Sequence, residues 1–344
     1  MANPIGMGLQ AGAQAVRFGL YFGLSRALAR EAERLGVKPT YKPERPVPST
    51  REVMAELGQL FLRDAQGVRD GILPPSIAEP GPGEIWSRIR DMFADLPESA
   101  HRRTTRDVAS ATVTPGSAQF PAYYAQDFHF QTGGYLTEGS ARLYDVQVET
   151  LFLGGAAPMR REALRPIADF MRGRDQRTVN LLDVACGTGR LLRDIRLAYP
   201  AMHLTGLDLS APYLDEARRH LAPLRPATWI EANAEAIPLP DASQHIVTTV
   251  FLFHELPPAV RRIVLGEMAR VLKPGGLLVF IDSLQMGDRP SWDGLLEGFP
   301  ERFHEPYYRH YAIDDLDAAM SERGLAAHAE WTSYFAKVMA RTRT

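Results

Sequence analysis

The chain of 344 residues has a single cysteine, Cys186, so an internal disulfide is excluded and a reducing, cytoplasmic setting is expected. It also lacks an excess of positive charge: 39 Lys and Arg stand against 41 Asp and Glu. A nucleic-acid partner, which normally leaves a basic footprint, is not expected. No secretory leader is expected either, since the N-terminus has neither a positive n-region nor a compact apolar run. Residues 5–24 hold one charge, Arg17, but five glycines interrupt them (Gly6, Gly8, Gly12, Gly19 and Gly23). A bilayer-crossing helix is therefore not expected. Internal repeats and low-complexity tracts are absent.

One further absence is chemically informative. Residues 180–192, N-L-L-D-V-A-C-G-T-G-R-L-L, end an apolar run in an acid, turn on two glycines and enter a helical pattern. That is a buried parallel strand feeding a helix through a tight ligand-cradling loop. The dinucleotide fingerprint G-x-G-x-x-G fails, because Leu192 stands where the third glycine belongs. Asp183, four residues before Gly187, would repel a pyrophosphate and attract a cationic ligand. S-adenosylmethionine (SAM) carries a sulfonium, an ammonium and a carboxylate but no phosphate. Asp208 ends the next apolar run, placed to accept hydrogen bonds from two ribose hydroxyls. A nucleotide or NAD site with an altered loop is the competing reading.

Five motifs follow in order across residues 183–276: D-V-A-C-G-T-G, G-L-D-L-S, A-N-A-E-A-I-P-L-P-D-A-S, F-H-E-L-P and A-R-V-L-K-P-G-G. In them the chain resembles class I SAM-dependent methyltransferases, of the branch that includes ubiquinone/menaquinone and sterol C-methyltransferases. The resemblance spans roughly the last two-thirds of the chain. It implies that the backbone of Ala185, Cys186, Gly187 and Gly189 follows the methionine part of SAM, with Asp183 near the ammonium. Asp208 would hold the ribose and Leu209 would lie beside the adenine. Asn233 stands where many relatives carry an aspartate; its amide oxygen can still accept from the adenine amino group. Ala234 would offer an N–H, and Phe251 would back the cofactor.

The expected fold is α/β, a Rossmann-like doubly wound sheet of seven strands with an antiparallel last strand. Strands near 179–184, 203–208, 227–231, 245–251 and 277–281 alternate with helices near 189–199, 211–221 and 258–272, which requires parallel pairing with right-handed crossovers. Residues 326–340 fit a closing hairpin. Residues 1–115 are expected to form a helical extension, and residues 116–344 the catalytic domain.

In the extension, residues 7–35 place Val16, Leu20, Leu24 and Leu28 at a spacing of four, with Arg26, Arg30 and Arg34 behind them. Such a helix packs on the domain or on a second subunit, or lies peripherally in a lipid interface; both readings stay open. A connector with Pro39, Pro43, Pro46 and Pro48 follows. Ser49 and Glu52 signal a helix start, and that helix should run to about residue 68. After Pro74, Pro75, Pro80 and Pro82 a short helix is expected over 84–96, then helices over 140–152 and 159–171.

Residues 120–137 hold six aromatics and the pair Gly133-Gly134 without a regular period. By the family analogy Tyr124, His129 and Tyr135 are lid residues; an aromatic mini-core is the alternative. His254 and Glu255 follow the fourth strand, where ligands of open α/β sheets bind, and either is a candidate base. A pocket-shaping or capping role for His254 is the alternative. The insertion 284–311 contains a second aromatic segment, 300–311, whose candidate substrate contact is Tyr307. That segment is read as a lid, a packed connector, or a metal site from His304, Glu305 and His310. The spacing of that trio fits no known ligand motif, so no metal is assigned. The expected activity is methyl transfer from SAM to a small lipophilic acceptor of quinone, isoprenoid or fatty-acyl type. A non-catalytic SAM-binding partner and an NAD-linked oxidoreductase are the rivals.

Overall fold

The computed structural model describes residues 3–37, 41–76, 81–114 and 116–344. Pro39, Pro80 and the expected boundary at residue 115 lie outside the described residues. Seven strands form one sheet: β1 (Asn180–Val184), β2 (His203–Asp208), β3 (Thr228–Glu231), β4 (Gln244–Val250), β5 (Leu272–Ser283), β6 (Leu325–Ser333) and β7 (Ala336–Arg343). Their order is β3-β2-β1-β4-β5-β7-β6; the first five are parallel, and β7 runs antiparallel to both neighbours. The strand order reverses between β1 and β4, which opens a crevice beyond their carboxyl ends. Buried apolar residues line both sheet faces, with Leu181, Leu204 and Val338 on one and Leu182, Leu207 and Met339 on the other.

Twelve α-helices are described. The first four are α1 (Pro4–Arg34), α2 (Thr50–Arg69), α3 (Pro82–Thr105) and α4 (Glu138–Leu151). Next come α5 (Ala156–Arg161), α6 (Leu164–Met171), α7 (Arg190–Ala198), α8 (Ala211–Leu221) and α9 (Pro258–Val271). The insertion carries α10 (Asp293–Phe303) and α11 (Tyr308–Tyr311), and α12 (Leu316–Ser321) precedes the hairpin.

Three helical expectations differ from the fold. Helix α3 does not stop at residue 96 but continues through Pro97. Proline removes one N–H bond there; the far end is anchored because Arg102, nearly fully buried, donates to the Phe130 carbonyl and to Thr132 Oγ1. The helix expected over 159–171 is two helices, since Pro166 cannot donate to the preceding turn and the chain breaks ahead of it. In α1 a spacing of four drifts about 40° per step on a 3.6-residue helix. Leu24 therefore turns inward while Val16 is 74% exposed.

The opening helices share the domain's core rather than standing apart. Leu57 and Leu60 of α2 belong to the same buried apolar cluster as Leu181 and Val338 of the sheet. Gln10 and Gln14 of α1 donate to Asp64 of α2, which also holds Arg161 of α5 at 2.7 Å. Arg88 of α3 pairs with Glu216 of α8, both buried. Through Arg102, α3 also fixes the aromatic segment at Phe130 and Thr132.

Candidate active site

The loop after β1 is built by alternating left-handed residues: Ala185, Gly187 and Gly189 have φ of 55°, 54° and 73°. A β-carbon on Gly189 would come within 2.8 Å of Ala217 Cβ, so this glycine permits α7 and α8 to approach. Gly187 has open space at that position and faces the cleft. Its N–H donates to Asp208 Oδ2 at 2.8 Å, and Ser210 N–H donates to Asp208 Oδ1 at 2.9 Å. Each oxygen keeps a further lone pair for a ligand hydroxyl. Burial is the main reason the Asp208 carboxyl is pushed up to about 6.

Asp183 is placed differently from Asp208. It lies one residue inside β1, where the register sets it beside Thr248, whose hydroxyl donates to it at 2.6 Å. Burial pushes it up to about 7, with Asp208 adding to the rise. Asp183, Cys186 and Gly189 are not among the residues that line the cleft. Burial also pushes the Cys186 thiol up, away from thiolate chemistry.

A cleft of about 730 Å³ opens beyond the ends of β1, β2 and β4. Ala185, Gly187, Asp208 and Leu209 form one side, with Asn233, Ala234, Phe251 and Tyr124 around it. Asn233 is held in an Asx turn, accepting from Glu235 N–H and donating to Glu235 Oε1, which also takes the Tyr123 hydroxyl. The two acids of the lining are Asp208 and Glu255. Among the described residues the lining contains no Lys, Arg or His. Such a wall suits the sulfonium of SAM and opposes a pyrophosphate. The acids, the open Gly187 and the aromatic walls fit SAM.

A second cavity, about 980 Å³, abuts the first across Tyr144, Phe251 and Glu255. Phe152, Phe299, Phe303, Tyr308 and Phe335 make it aromatic, and His129, His254, Glu255 and Ser283 are among its polar groups. His254 Nδ1 lies 2.6 Å from Asp282 Oδ1 at the end of β5. Burial alone would lower this imidazole, but Asp282 outweighs it and raises His254 to about 9. The Asp282 carboxylate thus favours the protonated form of the His254 imidazole. Glu255 Oε1 accepts the Tyr135 hydroxyl at 2.6 Å and lies 3.8 Å from both His254 Nε2 and His129 Nε2.

Among the expected contacts of the insertion, Tyr307 does not reach either cavity. Its hydroxyl accepts from Gln126 and so ties the insertion to the aromatic segment 120–137, while Tyr308, one residue on, lines the cavity and bonds Ser283. His304, Glu305 and His310 do not converge. His304 lies against the Phe130 ring, and His310 Nδ1 lies 3.1 Å from the Arg261 guanidinium. Glu305 meets His129 instead, at 3.0 Å. Burial holds the Glu305 carboxyl well above the usual range, against the pull of His129. Asp282 was legible by the same rule as Asp208, an acid closing an apolar run, whereas Tyr144 on α4 carries no local signal.

Residues 181–276 match the family model described as a methyltransferase domain. The demethylmenaquinone methyltransferase of Listeria welshimeri is 38% identical over 131 residues, 37% of this chain and 53% of that protein. A ubiquinone/menaquinone biosynthesis C-methyltransferase of Methylobacterium nodulans is 32% identical over 165 residues, 47% and 63% respectively. The chain thus spans about half the length of the first of these relatives and under two thirds of the second. Among solved structures, a SAM-dependent methyltransferase from Aquifex aeolicus matches 53% of this chain and 90% of its own, with TM-score 0.40 and 18% identity. Residues 181–276 thus match a methyltransferase domain, and the cleft that they border fits SAM.

Proposed function

We propose that the whole chain transfers the methyl group of SAM to a small lipophilic acceptor carrying an ionisable oxygen. The observation that carries this reading is the cleft walled by acids without cations, joined to an aromatic cavity at Glu255. SAM supplies an electrophilic methyl group on its sulfonium. The chain's own residues align the partners and exclude water, which is most of what an in-line displacement needs. Asp208 holds the donor's ribose. Phe251 and Tyr144 separate the two ligands except at the point of transfer, and Glu255 faces the acceptor oxygen there. The quinone relatives support an oxygenated, ring-bearing acceptor with an apolar tail.

A thermal-shift comparison tests the donor assignment. S-adenosylhomocysteine (SAH) at 100 times its dissociation constant should stabilise the chain by about 2.7 kcal/mol, a rise of a few degrees in Tm, and NADH should leave Tm unchanged. A shift with NADH alone would overturn the reading.

The outer face of α1 supports contact with a lipid surface, where such an acceptor resides. Ile5, Leu9 and Val16 are 75%, 71% and 74% exposed, while Arg17, the one charge of the first 25 residues, turns inward to Glu149 at 2.8 Å. No described helix is long and apolar enough to cross a membrane. Arg26 and Arg30 continue the exposed side and would meet anionic headgroups. Flotation with anionic liposomes should fall at least fivefold in the double variant Leu9→Glu/Val16→Glu with Tm unchanged. Equal flotation of both proteins would instead favour a face between two copies of the chain or a free surface.

A further inference from the structure

We propose that His129, Glu255 and Glu305 form a binding site for one divalent transition-metal cation at the polar end of the acceptor cavity. The three residues come from separate parts of the chain: the lid segment, the turn after β4 and the connection between α10 and α11. Their ligand atoms lie within 4.8 Å of one another, His129 Nε2 being 3.0 Å from Glu305 Oε1 and 3.8 Å from Glu255 Oε1. One cation placed among them can approach all three at about 2.0–2.4 Å, the range of divalent bonds to imidazole and carboxylate.

The enclosed state of Glu305 is the second observation. Its side chain is fully buried, and neither carboxylate oxygen has a hydrogen-bond donor; His129 meets it only in ion-pair geometry. A buried carboxylate without donors is costly and calls for a neutralising cation or proton. Glu255 is already oriented by the Tyr135 hydroxyl at 2.6 Å, the kind of outer support that metal-ligating carboxylates have. One imidazole with two carboxylates suits Mn(II), Fe(II) or Zn(II) better than a soft or purely oxygen-seeking ion. His129 and Glu255 both line the cavity, so the remaining coordination positions would face the acceptor. Resting on the methyl-transfer reading, the role of the site is to hold the acceptor oxygen, and a cation there lowers the pKa of a bound hydroxyl.

The test uses the full chain, stripped with chelator and titrated calorimetrically with Mn(II) and with Zn(II), without SAM. One ion per chain should bind and raise Tm. Glu305→Gln and His129→Asn should each weaken uptake at least 30-fold, asparagine being chosen because residue 129 has φ 56°. The half-buried control Glu301→Gln, paired with Arg106 and Arg309, should bind as the natural chain does. Co(II) added to the unaltered chain should give visible ligand-field bands, a reading independent of how the variants fold. Absence of saturable uptake, or uptake unchanged in both variants, overturns the site. So does a metal-free chain whose Tm rises on Glu305→Gln, which would assign a proton to the enclosed carboxyl. Because SAM is absent, failure here leaves the donor assignment standing, and failure of SAH binding leaves the ion site standing.

Discussion

Asp208→Ala should weaken SAH binding about 100-fold or more by calorimetry, with the fold intact by circular dichroism. Two hydrogen bonds to a charged acceptor contribute about 1.5–3 kcal/mol each, and both ribose hydroxyls lose theirs. The variant also frees the Gly187 and Ser210 N–H groups that shape the loop. The same titration carries a pH signature. In the ligand-free chain burial holds Asp208 up to about 6 and Asp183 up to about 7. A cationic donor favours both ionised forms, so binding should release protons and SAM affinity should rise between pH 5.5 and 8. The sign for stability is opposite. Unfolding drops both carboxyls to about 4, so their contribution to ligand-free stability is full below pH 4. It is lost as pH rises through 6 and 7. Unchanged affinity in Asp208→Ala would remove the residue from the ribose role.

The second large effect is expected at Glu255. Glu255→Gln keeps the shape and the oxygen that accepts from Tyr135, but removes the charge at the junction of the two cavities. Turnover should fall about 100-fold or more, the usual scale for a positioned acid or base, with SAH affinity changed less than threefold. A loss of SAH binding equal to the loss of turnover would place Glu255 on the donor side instead. A variant with full turnover would show that the acceptor is nucleophilic without help from this carboxylate.

Much of the sheet was legible because its signals are local. Apolar runs closed by Asp183 and Asp208, the glycine turn and the proline-started helices each depend on neighbouring residues, and the 325–343 hairpin is two short runs with a brief turn. The different positions of Asp183 and Asp208 were not legible, since they depend on which strand residue faces Thr248. The meeting of His129 with Glu305 was equally hidden. It needs the aromatic segment, fixed by Arg102 of α3, to lie against an insertion more than 150 residues away. One reading of the sequence grouped Glu305 with His304 and His310, which are near in the chain but turn elsewhere. Tyr307 failed for a similar reason: in an irregular segment, one residue decides which ring faces the cavity.

The most direct test follows a labelled methyl group. The full chain is incubated with methyl-tritiated SAM and a total lipid extract, and both phases are counted. Tritium should enter the organic phase in step with SAH formation and stop when Asp208 or Glu255 is replaced. Label that stays entirely aqueous, with no SAH formed, would contradict the account.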